Sequence, residues 1–221
     1  MKKELVKRFL SSLIILPIAL LFVIHGSVFF IFFLSTLLLI TSYEWIKMSK
    51  KKHFNKIFGV IFLIFSFYSA FQLRNYAGLN FFLFIVLICI FTDIGGYIFG
   101  KIFKGPKLIK ISPNKTYSGV IGSFILPVIA GLIYTNHLTL PLGIIVQLKL
   151  SEISNNYELT FLFFILTISI ISQIGDLIIS YFKRLSKVKD TGKILPGHGG
   201  ILDRVDGLIF VIPILYLFII L

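Results

Sequence analysis

A chain of 221 residues that is 57% hydrophobic, with 25 phenylalanines, is too apolar for a soluble domain, whose apolar share is about 45–50%. One cysteine, Cys89, rules out a disulfide framework or a cysteine metal site. The formal charge of +13 lies in loops beside apolar runs rather than on a soluble domain, which argues against nucleic acid and for anionic headgroups and phosphorylated substrates.

In chain order, Met1 to Arg8 is basic and leads into an apolar run from Phe9 with no small-residue cleavage site after it, so it reads as an uncleaved first span. The run from Phe9 to Ser42 exceeds the ~20 residues of one crossing and turns most naturally at His25-Gly26-Ser27, giving a helical hairpin. Further spans are expected near 57–73, 80–100, 119–135, 157–181 and 206–221. The expected fold is therefore an all-α, polytopic integral membrane bundle of about seven transmembrane helices, with its N-terminus in the cytosol. Residues 138–150 form an interfacial or re-entrant piece, or raise the count to eight or nine. With this topology all but Arg74 and Lys149 of the 22 basic residues fall on the cytosolic side, as the positive-inside rule requires. The chain divides into N-terminal helices (1–79) and a catalytic membrane region (80–221) with cytosolic loops 101–118 and 182–205.

Two polar constellations interrupt the apolar sequence. The first starts at Asp93, an acid inside a span, where a carboxylate needs a partner, a metal or water. Asp93, Gly96, Tyr97, Gly100 and Lys104 share a helical face, and helix packing accounts for the glycines but not for the aspartate. Ser112-Pro113-Asn114-Lys115-Thr116 follows just before the next span. It can bind a nucleotide phosphate or base at the helix start, or serve only to cap that helix.

The second runs from Asp176 to Asp206. Asp176, Ser180, Lys183 and Arg184 line one helical face. A tertiary ion pair with a neighbouring lysine would explain Asp176, but a metal is the preferred reading. Lys187, Lys189, Asp190 and Lys193 continue the charge. Pro196-Gly197-His198-Gly199-Gly200 forms a turn whose backbone suits a phosphate, with His198 as a hydrogen-bond or proton donor or as a loop-orienting residue. Asp203 and Asp206 flank Arg204 at the start of the last helix. Together with Asp176 they suit Mg²⁺, which takes oxygen ligands, keeps waters and is held by one or two carboxylates plus phosphates.

These segments resemble the phosphatidate cytidylyltransferase family, the CDP-diacylglycerol synthases. Its C-terminal signature is matched by Ser180, Lys183, Arg184, Lys189, Asp190, Pro196 to Gly200, Asp203, Arg204 and Asp206. Its upstream pattern is matched by Asp93, Gly96, Tyr97, Gly100, Ser112, Pro113, Lys115 and Thr116. Two positions depart: Ser118 stands where many members carry a glutamate, and Gly207 where many carry a serine. The resemblance implies that CTP and phosphatidic acid become CDP-diacylglycerol and pyrophosphate in a bacterial cytoplasmic (inner) membrane, with the site facing the cytosol. It implies Mg²⁺, with room for a second ion, on Asp176, Asp203 and Asp206. Lys183, Arg184, Lys189, Asp190, His198 and Arg204 would complete the catalytic set. Asp93, Tyr97, Ser112, Lys115, Thr116, Ser180, Gly197, Gly199 and Gly200 would bind substrate. A homodimer in contact with membrane lipids is also implied. An ion-coupled transporter lacks support because the halves show no symmetry. The aspartate pattern of CDP-alcohol phosphotransferases is absent.

Overall fold

The computed structural model describes residues 17–49, 53–109, 112–137, 157–194 and 199–220. The expectations for Met1 to Arg8, for 138–150 and for Pro196, Gly197 and His198 fall outside them.

Helix α1 (residues 17–25) ends at Gly26, whose φ of 66° and ψ of −151° leave helical space. That conformation favours glycine, which has no Cβ to clash. The chain turns back there into α2 (Ser27–Met48), and the Phe22 ring reaches Phe29, Phe32 and Phe33 across the turn. The hairpin break expected at His25-Gly26-Ser27 is thus in place.

Helix α3 (His53–Phe103) holds 51 residues and is broken at Gly78, where φ is 83°. A straight helix of that length would run to about 76 Å, far beyond the ~30 Å of a hydrocarbon core. Its two halves instead line one apolar cavity, with Ser66, Phe67 and Ala70 on one side and Phe82, Val86 and Ile90 on the other. The expected spans 57–73 and 80–100 lie on either side of this break.

Two short strands follow, β1 (Lys107–Ile109) and β2 (Ser112–Thr116), paired antiparallel with Lys107 opposite Thr116. An all-helical reading did not anticipate this ribbon. It leads directly into α4 (Tyr117–His137), and α5 (Tyr157–Leu185), the single-turn α6 (Leu202–Val205) and α7 (Leu208–Ile220) complete the bundle. Among the described residues, four helices are long and apolar enough to cross a membrane: α2, α3, α4 and α5. α7 is shorter and more apolar. The protein is an α-helical integral membrane bundle.

Lipid tails are as apolar as leucine, so close packing rather than water exclusion joins such helices, and small residues allow it. The second half of α3 meets α4 along glycines: a Cβ added at Gly95 would strike the Gly122 carbonyl oxygen, and one at Gly119 would stand 2.8 Å from the Gly96 carbonyl oxygen. Phe81 and Phe84 stack on Phe164 of α5, and Ser66 donates a hydrogen bond to the Ile209 carbonyl of α7 at 2.6 Å. This packing brings the C-terminal ends of α2, α3 and α5 and the start of α7 to the end of the bundle that carries the polar loops.

Candidate active site

Asp176 projects from the C-terminal part of α5. Lys115, the residue before Thr116 at the end of β2, meets it with Nζ 2.5 Å from Oδ2, and both side chains are about a quarter exposed. The Ser180 hydroxyl donates to Asp176 Oδ1 at 3.3 Å. The ion-pair explanation for Asp176 therefore holds, and its lysine comes from the other constellation. The ribbon makes this possible, since it carries Lys115 back over the end of the bundle. One contact joins the two polar segments.

Asp206 lies in the turn between α6 and α7 and is 7% exposed. Its carboxyl stands within hydrogen-bonding reach of Asp176, and the Gly207 N–H donates to its Oδ1 at 3.0 Å. Burial, followed by the Asp176 and Asp93 carboxylates, pushes the Asp206 carboxyl well above the usual carboxylate range. Glycine on the facing helix makes the approach possible: a Cβ on Gly175 would stand 2.9 Å from the Asp206 carbonyl oxygen. Gly207 is pressed against Ser172 in the same way, so a serine at 207 would need Ser172 to move. Asp93 is exposed on α3 and lies within electrostatic reach of Asp176, Lys115 and Arg204.

Asp203 has different surroundings. Its Oδ1 accepts from Lys183 Nζ at 2.8 Å. Its Oδ2 accepts from the Thr191 N–H (2.8 Å) and the Gly200 N–H (3.0 Å), and the Thr191 hydroxyl lies 3.0 Å from it. Asp203 thus ties the loop after α5 to α6, and Lys183 is held beside it. Among the described residues no group of three or more His, Cys, Asp or Glu side chains is placed to hold a metal ion. What the structure brings together is the Asp176–Asp206 pair.

The remaining expected residues are spread more widely. Arg184 is exposed in the last turn of α5, its Nη1 3.4 Å from the Val188 carbonyl oxygen, and Lys187, Lys189, Asp190 and Lys193 are exposed along the loop that follows. Arg204 is exposed on α6. Gly199 has φ 84°, and a Cβ there would meet Asp203 Oδ2 at 3.0 Å. Tyr97 is 67% exposed and carries Lys101 over its ring. Ser112 opens β2 and is partly buried. Thr116 caps α4, its Oγ1 accepting from the Gly119 N–H at 3.2 Å. The departing residue Ser118 bonds the Lys104 carbonyl and Thr116, which locks the ribbon to the end of α3.

One residue escaped the sequence reading. Glu44 of α2 is 1% exposed, and its carboxylate bonds Thr191, Ile201 and Leu202. The apolar run from Phe9 ends at Ser42, two residues before Glu44, so the run does not mark that glutamate as lying inside a span. The rule that singled out Asp93 and Asp176, that an acid in a membrane-embedded helix needs a partner, a metal or water, applies equally to it.

The model of the Cytidylyltransferase family matches residues 53–221. A phosphatidate cytidylyltransferase of Brucella suis biovar 1 (strain 1330) is 40% identical over 162 residues, 71% of this chain and 54% of that protein. Those of Staphylococcus haemolyticus (strain JCSC1435) and Staphylococcus saprophyticus subsp. saprophyticus are 44% identical over 139 residues and 43% over 141, in each case 62% of this chain and 48% of the relative. The chain spans about half the length of the curated relatives it matches.

Proposed function

The chain belongs to the cytidylyltransferase family, and on that premise we propose that it transfers the cytidylyl group of CTP to phosphatidic acid. An oxygen of the lipid phosphate forms a bond to the α-phosphorus, the bond from that phosphorus to the α–β bridging oxygen breaks, and pyrophosphate leaves. The attacking oxygen is already ionised, so positioning and charge neutralisation carry the catalysis.

The single observation behind this reading is the Lys115–Asp176 contact beside Asp206, which unites both polar segments at one end of the bundle. Lys115 and Lys183 would receive phosphate oxygens, and the exposed Arg184, Lys189 and Arg204 would draw the triphosphate in. Asp93, with Ser112 and Thr116 nearby in the chain, would border the nucleotide end.

The carboxylate pair also suits a resident cation. Two crowded carboxylates, one buried, match the one or two that Mg²⁺ takes alongside phosphates. Asp176 and Asp206 would hold it. Asp203, expected as a third ligand, has its oxygens engaged by Lys183, Thr191 and Gly200. When bound, Mg²⁺ would neutralise charge on the nucleotide phosphates.

The lipid has a path to this place. An apolar cavity of about 520 Å³ between α2, both halves of α3 and α7 is lined by Val205 and Leu208, which flank Asp206, and would accept an acyl chain. We place the lysine-rich end in the cytosol of a bacterial cytoplasmic membrane, with about seven spans and a homodimeric assembly. Purified full-length protein in detergent, given labelled CTP, phosphatidic acid and Mg²⁺, tests the reaction. Folded protein that makes no CDP-diacylglycerol would refute it.

A further inference from the structure

A carboxylate sealed inside a helical bundle is unfavourable unless donors surround it. The donors around Glu44 all come from one loop. Oε1 accepts from the Ile201 N–H at 3.1 Å, while Oε2 accepts from the Leu202 N–H at 2.8 Å and meets the Thr191 hydroxyl at 3.1 Å. Among the described residues no lysine or arginine forms a salt bridge with it. The loop is also shaped around it: a Cβ at Gly192 would collide with Oε1, and one at Gly200 would come within 2.5 Å of Oε2.

The Thr191 hydroxyl also lies 3.0 Å from Asp203 Oδ2, and the Thr191 N–H donates to that same oxygen. Asp203 in turn holds Lys183. A continuous path of short contacts therefore runs Glu44, Thr191, Asp203, Lys183. It begins on α2, outside the stretch 53–221 that matches the family, and ends on a cation facing the candidate site.

We propose that Glu44 is a positioning residue for cytidylyl transfer. It pins residues 191–192 and 200–202 to α2 and, through Thr191 and Asp203, fixes where the Lys183 ammonium meets the phosphates. This role rests on the transferase reading above. Glu44 touches no substrate in it.

The test compares full-length Glu44→Gln, Thr191→Val and Thr191→Ser with the unaltered protein in detergent, following turnover, melting temperature and amide hydrogen exchange at Ile201 and Leu202. Glutamine keeps the volume but turns an amide NH₂ towards groups that are themselves donors. Displacing a group by about 1 Å lowers turnover roughly 100-fold, so Glu44→Gln and Thr191→Val should lose at least about 10-fold in kcat per folded molecule. KM for phosphatidic acid should stay within about twofold, and Thr191→Ser, which keeps the hydroxyl, should recover the rate. A merely structural Glu44 would lower the melting temperature and leave kcat of the folded fraction unchanged, and that result overturns the proposal. If Glu44→Gln does not fold, the valine and serine variants decide. If the unaltered protein makes no CDP-diacylglycerol, the transferase reading fails, and the positioning role in that reaction falls with it. Exchange at Ile201 and Leu202 then reports separately whether Glu44 holds the loop.

Discussion

Lys115 and Asp176 lie far apart in sequence and in contact in space, and each is the other's main reason for standing at the edge of the bundle. Removing the lysine leaves Asp176 beside Asp206 with less to offset their repulsion, and removes a phosphate partner. Lys115→Ala should therefore lower kcat/KM for CTP by about 100-fold, the scale of losing one preorganised charge partner, as measured in initial-rate assays of folded protein. Asp206 and Asp203 should separate by type of defect. Asp206→Asn should raise the Mg²⁺ concentration needed for half-maximal rate with little change in melting temperature, because burial already favours its neutral form. Asp203→Asn should lower the melting temperature by several degrees, since an amide cannot serve both Lys183 and the two N–H donors at Oδ2. Thermal scans and Mg²⁺ titrations of the two variants check this. Much of the site was legible at this scale because membrane-embedded acids are conspicuous, as with Asp93 and Asp176. The division of labour between Asp203 and Asp206 was not, because a spacing of three allows both to face one way but does not say which finds a lysine first. Glu44 was hidden by its place at the edge of an apolar run.

The elements carry these residues through a few close approaches. β2 delivers Lys115 and passes straight into α4, and α4 is seated on α3 by glycines that leave no room for side chains. The Gly95–Gly122 contact therefore sets the level of Lys115 relative to Asp176. Gly122→Val should destabilise the fold by about 1–3 kcal/mol, the usual range for overpacking, and lower activity beyond what the folded fraction explains. Thermal unfolding in detergent alongside turnover per folded molecule measures both effects. Helix existence was readable from apolar runs, and the breaks at Gly26 and Gly78 fall where glycine interrupts them or beside a polar step. The ribbon was not readable. Its strands are short, one contains Pro113, and neither alternates apolar with polar residues, so pairing depends on the ends of α3 and α4 arriving side by side.

For the whole molecule, charge is the guide to sidedness. Lys101, Lys104, Lys107 and Lys115, with the lysines of 183–193, gather at the end of the bundle that holds the aspartates, whereas Arg74 lies beside the α1–α2 turn. There it donates to the carbonyls of Val23 and Ile24 and covers the Phe30 ring. A basic residue so fully used by local carbonyls is no exception to a charge rule; its position follows from capping α1. In the orientation proposed above, that rule sets the candidate site on the cytosolic side, where a soluble nucleotide would reach a headgroup of the inner leaflet. Cysteine labelling can read this directly, because the native Cys89 is buried and should stay silent to a membrane-impermeant maleimide. Tyr76→Cys, at a position 69% exposed next to the α3 break, should label in intact cells. Lys187→Cys, exposed on the loop after α5, should label only after the membrane is opened. The reverse pattern would place the aspartates on the far side from CTP and overturn the orientation, while labelling of both from outside would show that the bundle does not separate these ends across a bilayer.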